Sequence, residues 1–563
     1  MDAGKKIELV FLWHMHQPDY RDHVTGEFRK PWTYLHALKD YTDMAAHLER
    51  HPKVRAVVNF VPVLLDQIED YVRQFDSGAF SDPLLRLLAR ESLDRLDANE
   101  RHLLLETCFP GNHARMIAPY PRFERLRNLY RFLEDEGRDN VGYLSGAFFA
   151  DLLVWYHLVW TGETERRSRA LLAELMTKGE GFTAEDRRRL LDLMGNAMRG
   201  LIPRYRDLAQ RGQIELSATP DTHPLAPLLL DFGSAREAQP DLPLPAAHFY
   251  PGGRSRVDRH IALARESHAR RFGSEPVGMW PAEGALSNAL LQQLAAQGCR
   301  WTASSRSVLA HSLRESGAAA PGNPLSQPWR FDTAPGIAVF FRDEHLSDLI
   351  GFEYAKWHGR DAAQHFVDQL IRIRDAAPAG ETPLVCVILD GENAWEHYPY
   401  NGYYFFEDLY GLIAEQPWIE TTTCAYWLAR HPDRCETLPR LVAGSWVYGT
   451  FSTWIGDADK NRAWDLLCAA KQAYDLVMSS DRLDEAARQA AEAQLAVCEG
   501  SDWFWWFGDY NPREAVTSFD ALFRANLTLL YRLLRLAAPP QLAAPISSGG
   551  GSPEGGGTMR RAS

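Results

Sequence analysis

The sequence predicts an α/β protein: a parallel barrel carrying a helical insertion, followed by an all-α C-terminal domain. Three observations carry this. Seven short apolar runs each end in polar residues at their C-terminal side. Segments of helical periodicity separate most of them. After about residue 430 the strand signal fades and three helical stretches follow. Continuous apolar strands alternating with helices indicate a parallel sheet covered on both faces.

The runs come in this order. IELVFLWHMHQ ends at His14 and His16, and VRAVVNFVP carries Asn59. GQIELSATPDTH carries Glu215 and leads to Asp221 and His223. VGMWPAEG ends at Glu283, CRWTASS in serines, IAVFFRDEH at Arg342 and Asp343, and LVCVILDGEN at Asp390. A weaker eighth, IETTTCAYWL, occupies 419–428. Seven or eight strands with polar ends on one side favour a barrel, whose catalytic groups gather at the C-terminal strand ends. An open doubly wound sheet is the alternative, but no Gly-rich phosphate loop follows the first strand.

The expected division is 1–430 for the barrel, 431–537 for the helical domain and 538–563 for a disordered Pro/Gly/Ser tail. Between the second and third runs, residues 70–210 read as a helical insertion; SDP at 81–83 is a helix-start signal. The stretch 231–257, rich in Pro and Gly with Tyr250 near its tip, reads as a lid. Residues 459–480, 481–499 and 513–537 read as the three C-terminal helices.

Bulk properties narrow the partners. The 563 residues imply two or three domains. A net charge of −13 argues against nucleic acid or an anionic membrane. The most apolar long stretch, Tyr143 to Trp160, is broken by Asp151 and His157 and does not read as a membrane span. Seven cysteines without a CxxC pair read as buried free thiols. With a strand starting close to Met1 and no apolar leader, a cytoplasmic protein is expected.

Two carboxylates stand out by position. Any single Glu is most simply a surface residue, but Glu283 and Asp390 each sit where a barrel displays catalytic groups. Two carboxyls facing across a barrel mouth suit glycosidic bond cleavage. Glu392, two residues beyond Asp390, would point to the same side and help raise its pKa. His14 and His16 also share one face, and three readings stay open for them: a metal pair, a buried hydrogen-bonded pair, or donors to sugar hydroxyls. The aromatic run WFWWFGDYN, 503–511, reads as a domain seam or a carbohydrate platform. Trp446, Trp454 and Asp459 open the helical domain, from where they could reach back toward the cleft.

At these residues the sequence resembles glycoside hydrolase family 57, the retaining α-glucan-active family, from residue 7 to about 535. The family's His-Gln-Pro region is matched by His16, Gln17 and Pro18, although Asp19 separates Pro18 from Tyr20. Its Gly-x-Ile-Glu-like region is matched around Glu215, with His223 following. Its nucleophile region is matched by Trp280 and Glu283, and its acid/base region by Asp390, Gly391 and Glu392. A fifth region is matched loosely by Trp446 through Asp459. FFRDEHLSDLIGFEY, 340–354, is similar to the bacterial amylase-like branch.

The resemblance implies an incomplete (β/α)7 barrel completed by the helical domain, no cofactor and no catalytic metal. It implies Glu283 as nucleophile and Asp390 as general acid/base. It places His14, His16, Glu215, His223, Trp280, Arg342, Asp343, Glu392, Trp446, Trp454 and Asp459 around an α-glucan or maltooligosaccharide. Hydrolysis competes with transfer to a second glucan, as in branching enzymes and 4-α-glucanotransferases. The rivals are a metal-dependent carbohydrate enzyme using His14 and His16, and a non-catalytic glycan-binding protein.

Overall fold

The computed structural model describes residues 5–135, 138–318, 322–480 and 482–551. β1, Ile7–Met15, is buried along its whole length. Side chains alternate across a strand, and β1 divides accordingly. Leu9, Phe11 and Trp13 join the large core shared with the surrounding helices. Val10 and Leu12 join a smaller core with Val57, Ala303, Phe340 and Ile388. That smaller core is the barrel interior, and His14 continues its face.

The other strands are β2 Ala56–Phe60, β3 Ile214–Ala218, β4 Gly278–Met279, β5 Trp301–Ser305, β6 Trp329–Phe331, β7 Ala334–Arg342, β8 Leu384–Asp390, β9 Ile419–Thr422 and β10 Glu436–Leu438. They form one sheet in the order β10-β6-β7-β5-β4-β3-β2-β1-β8. Every pairing is parallel except β6 with β7. The seven expected runs are therefore the seven successive staves of a curled sheet. The barrel is incomplete: among the described residues no ladder joins β7 to β8. That seam is bridged by Asp343 N–H donating to Cys386 O (2.7 Å) and Arg342 Nε to Ile388 O (2.8 Å). β6 and β10, three residues each, are too short to leave an alternating signal.

The weak eighth run is half strand. β9 pairs with the N-terminal half of β1, and the chain then turns into the helix Cys424–Arg430. This helix stoppers the bottom of the barrel. Cys424, Trp427 and Leu428 belong to the interior core. Buried Glu8 accepts from Trp427 Nε1 (2.8 Å) and pairs with His431.

Between β2 and β3 the described residues are helices and turns. Asp82 caps the helix Pro83–Ala89 by accepting from Leu84 and Leu85 N–H, as SDP suggested. Thr183 and Asp186 form a capping box that starts the long helix Ala184–Gln210. The C-terminal region carries the helices Ala458–Met478, Glu485–Cys498 and Arg513–Leu533, with the short helix Asp502–Trp506 between the last two.

Two expectations need correction. The stretch 231–257 is not a lid over the cleft. Tyr250 is buried and donates to Glu499 (2.7 Å), and Asp465 accepts from Ala246 and Ala247 N–H. Its apolar Leu242 and Tyr250 gain more by burial against the C-terminal helices than by facing solvent. The tail is also ordered through residue 551. Leu542 and Ile546 are buried, and Asp520 accepts from Ile546 and Ser547 N–H. Residues 552–563 lie outside the described residues.

Candidate active site

Strand register builds the site. His14 pairs with Asn59 of β2 and with Asp390 of β8, and Asn59 pairs with Ser217 of β3. These four residues form one layer at the C-terminal rim. Above it opens a cavity of about 490 Å³, lined by His14, His16, His223, Glu283, Arg342, Asp390, Glu392 and Trp446 among others.

Glu283 reaches the cavity through a strained turn. β4 is only two residues long, and Gly278 lets it lie against the Trp301 ring, where a Cβ would collide. Pro281 follows, and Glu283 then adopts φ 59°, a left-handed conformation uncommon outside glycine. Such strain collects at functional sites. Ser304 Oγ holds the turn by donating to Gly284 O (2.6 Å), and Trp446 N–H donates to Glu283 O (3.0 Å). Trp446 Nε1 donates to the Glu283 carboxylate at 2.9 Å.

Asp390 ends β8 in phase with the interior residues Cys386 and Ile388. Burial pushes its pKa from 3.8 to about 6, opposed by the Asn393 amide, which donates to Oδ2 at 2.8 Å, and by His16 and Arg342. Glu392 is buried beside it. Burial, then the Asp390 charge, raise the Glu392 pKa well above the usual range. Its Oε1 accepts from His16 N–H (3.4 Å) and Gln17 Nε2 (3.3 Å). A carboxyl that keeps its proton near neutral pH can act as a general acid.

The three histidines form a stack. The His16 and His223 ring centroids are 3.8 Å apart with planes 18° apart, and His14 lies 5.3 Å from His223. His14 Nδ1 contacts Asn59 Oδ1 (2.7 Å), and burial lowers its pKa to about 3. Burial also lowers the His223 pKa, and His223 sits at φ 60° with Nδ1 on Ser501 Oγ (3.0 Å). His16 Nε2 contacts Asp502 Oδ1 at 2.9 Å. His16, His223 and Asp502 offer three potential metal-ligand atoms within 4.8 Å of one another. Imidazole lone pairs lie in the ring plane, so stacked rings direct them side by side rather than onto one point. That suits separate hydrogen bonds to neighbouring hydroxyls better than a shared ion.

Five expected lining residues lie elsewhere. Glu215 pairs with Val57, one layer below the rim, and accepts from Trp301 Nε1 (2.6 Å) and Ala425 N–H (2.8 Å); it ties the stopper helix to the barrel. Trp280 is fully buried, 6.1 Å from His14 and 5.1 Å from Trp446 by ring centroids, and forms the floor beneath them. Asp343 is spent capping the helix Glu344–Asp348. Trp454 is buried against Trp505. Asp459 sits in the first turn of the helix Ala458–Met478, outside the cavity lining.

Other lining residues escaped sequence reasoning. Trp505 and Trp506 make the 503–511 run both seam and wall: they line the cavity while Trp503, Phe504 and Phe507 are buried. Asp502, at the edge of that run, reaches His16 of the first strand from the helical C-terminal region. Trp32 and Trp160, with centroids 5.4 Å apart and planes tilted by 49°, form an aromatic pair in the lining. Tyr20 lines the cavity and donates to Gln17 Oε1 (3.0 Å), while Asp19 turns away to bind Arg21 and His23. Trp395, five residues beyond Asp390, is buried against Trp13 and Phe406.

A parallel barrel with two carboxyls at separate strand ends, in a cleft of aromatics and imidazoles, is an arrangement suited to cleaving glycosidic bonds. The chain belongs to glycosyl hydrolase family 57, whose model matches residues 10–439. No curated protein sequence matches the chain. Among solved structures, a GH57 branching enzyme from Thermococcus kodakaraensis superposes with a TM-score of 0.58 at 16% identity, covering 93% of this chain and 90% of that one. A GH57-type branching enzyme from Pyrococcus horikoshii gives 0.56 at 15%, covering 95% and 96%. The α-amylase AmyC of Thermotoga maritima gives 0.55 at 12%, covering 94% and 93%. These likenesses are of fold.

Proposed function

We propose that the chain is a retaining α-glucan-active enzyme, with Glu283 as nucleophile and Asp390 as general acid/base. The observation that supports this most is the placing of both carboxyls in one cavity at the ends of β4 and β8, with Asp390 biased toward its protonated form. The Glu283 carboxylate attacks the anomeric carbon while the glycosidic C–O bond breaks and Asp390 gives its proton to the departing oxygen. Water or a glucan hydroxyl then displaces Glu283, and Asp390 takes back the proton. The imidazoles of the stack, His14 and His223 held neutral by burial, and Glu392 hold the ring hydroxyls, and the Trp446 indole N–H fixes the nucleophile.

Transfer competes with hydrolysis in this reading. The favouring feature is the set of tryptophans lining the cavity, Trp32, Trp160, Trp505 and Trp506, which offers an acceptor sugar a stacking surface that water does not need. Incubation with amylose tests both. Rising reducing ends mean hydrolysis; new α-1,6 linkages at constant reducing ends mean branching; no change in any α-glucan overturns the assignment. A cytoplasmic setting fits the seven free thiols.

A further inference from the structure

The segment that begins at Asp390 continues into a second, unassigned feature. After buried Trp395, the chain runs through Pro399 to Tyr400 and Asn401, at φ 53° and 52°, and Gly402 at φ 73°. Three successive left-handed residues are unusual, and a tyrosine there is strained. The strain is held from below. The buried Asn401 side chain donates to Asp43 Oδ2 (2.8 Å) and accepts from Lys39 Nζ (2.9 Å). Gly402 packs against the Trp395 ring, where a Cβ would lie 3.2 Å from Cε3.

This rigid turn presents aromatics to solvent. Tyr400 is 54% exposed and Tyr404 46%. Their rings lie 5.5 Å apart at 84°, and the Arg167 guanidinium sits over both, at 5.8 and 5.1 Å. Arg167 also donates to Tyr404 OH (3.1 Å), which fixes the ring. Beside them is a hollow of about 150 Å³ lined by Tyr120, Tyr398, Tyr400, Lys39, Arg115 and Glu396. Flat ring faces next to charged hydrogen-bonding groups match the two surfaces of a hexose: an apolar face and an equatorial rim of hydroxyls.

The hollow adjoins the catalytic cavity. Glu396 lines both. Lys39, in the hollow, lies 5.2 Å over the ring of Trp160, which lines the cavity. We propose that the Tyr400–Tyr404 platform and its hollow form a distal oligosaccharide-binding site that holds a remote stretch of the same α-glucan chain whose bond is cut at Glu283. This rests on the α-glucan reading above.

The test uses Tyr400→Gly and Tyr404→Ala in the full chain. Glycine suits φ 53°, so the first variant removes the ring while relieving the backbone. One measurement is kcat/KM on long amylose against maltotriose. The expected result is a loss of about five- to tenfold on amylose through KM, equivalent to one aromatic contact, with maltotriose unchanged. Equal losses on both substrates, or none on either, overturn the platform. The second measurement is mobility in native gels containing soluble starch, in a Glu283→Gln background. Retarded Glu283→Gln whose retardation is lost with Tyr400→Gly supports the platform; retardation unaffected by both substitutions overturns it. The gel reads binding without turnover. A parent chain inert toward every α-glucan sinks the catalytic assignment, while the gel still decides the platform.

Discussion

The indole Nε1 of Trp446 donates to Glu283 Oε2 at 2.9 Å, so a residue beyond β10 positions a carboxylate at the end of β4. The backbone of Trp446 holds the same residue through Glu283 O. This double grip fixes the proposed nucleophile in a left-handed turn that its own strand is too short to impose.

Trp446→Phe removes the indole donor and keeps most of the packing. A hydrogen bond to a charged group contributes about 1.5–3 kcal/mol. Turnover on glucan is therefore expected to fall by about ten- to a hundredfold, mainly in kcat, with the circular dichroism spectrum unchanged. A fall confined to KM would place the indole on the substrate instead of on Glu283.

The two carboxyls are distinguished by azide. Removing a general acid/base costs about 10²–10⁴-fold. Asp390→Ala should lose that much on maltooligosaccharides but far less on an α-glycosyl fluoride, whose leaving group needs no proton. Azide should restore Asp390→Ala by attacking the glycosyl-enzyme, giving an α-glycosyl azide. With Glu283→Ala it should attack the donor directly, giving the β-anomer. The reverse pattern would exchange the two roles.

Much of this site was legible in the chain because strands display their ends in register. The apolar alternation of β1 predicts that His14 faces inward, and the seven runs predict staves whose polar ends gather at one rim. Depth was not legible. Glu215 shares the inward face but lies one layer down, level with Leu12 and Val57, and no local pattern marks that layer. Asp343 follows Arg342 in the same polar run, yet helix capping claims one and the cleft the other. Trp505, Trp506 and Asp502 come from the helical C-terminal region and reach the site only through tertiary packing. An aromatic run that buries most of its rings looks the same in sequence whether the remaining faces meet protein or sugar.

Ionisation of Asp390 should cost stability. Its pKa is 3.8 in the unfolded chain and about 6 in the fold, so the folded state binds more protons across that window. Stability then falls as pH rises from about 4 to 6 and stays low above it. Glu392 shifts in the same direction. Asp390→Asn should therefore raise the melting temperature at pH 7–8, with the gain vanishing toward pH 4. The shift sets an upper limit of about 3 kcal/mol, reduced by residual solvent contact. Thermal unfolding across pH checks this, and a gain that grows toward acid pH would refute it.

The histidine stack separates carbohydrate binding from metal chemistry. His16 Nε2 already contacts Asp502, and His223 Nδ1 contacts Ser501. The remaining buried nitrogens, His16 Nδ1 and His223 Nε2, have no protein partner within hydrogen-bonding distance. They belong to rings whose planes are 18° apart. Ligand atoms around one zinc must converge tetrahedrally at about 2.0–2.1 Å, which would require one ring to rotate out of the stack. Hydroxyls of a bound sugar can meet the two nitrogens separately. Full turnover on glucan after dialysis against EDTA, with substoichiometric metal by elemental analysis, is the expected result. His223→Ala should then weaken binding of a maltooligosaccharide to Glu283→Gln, read calorimetrically, by about tenfold, the cost of one buried hydrogen bond. Stoichiometric zinc lost together with activity would instead assign the three groups to a metal-dependent reaction.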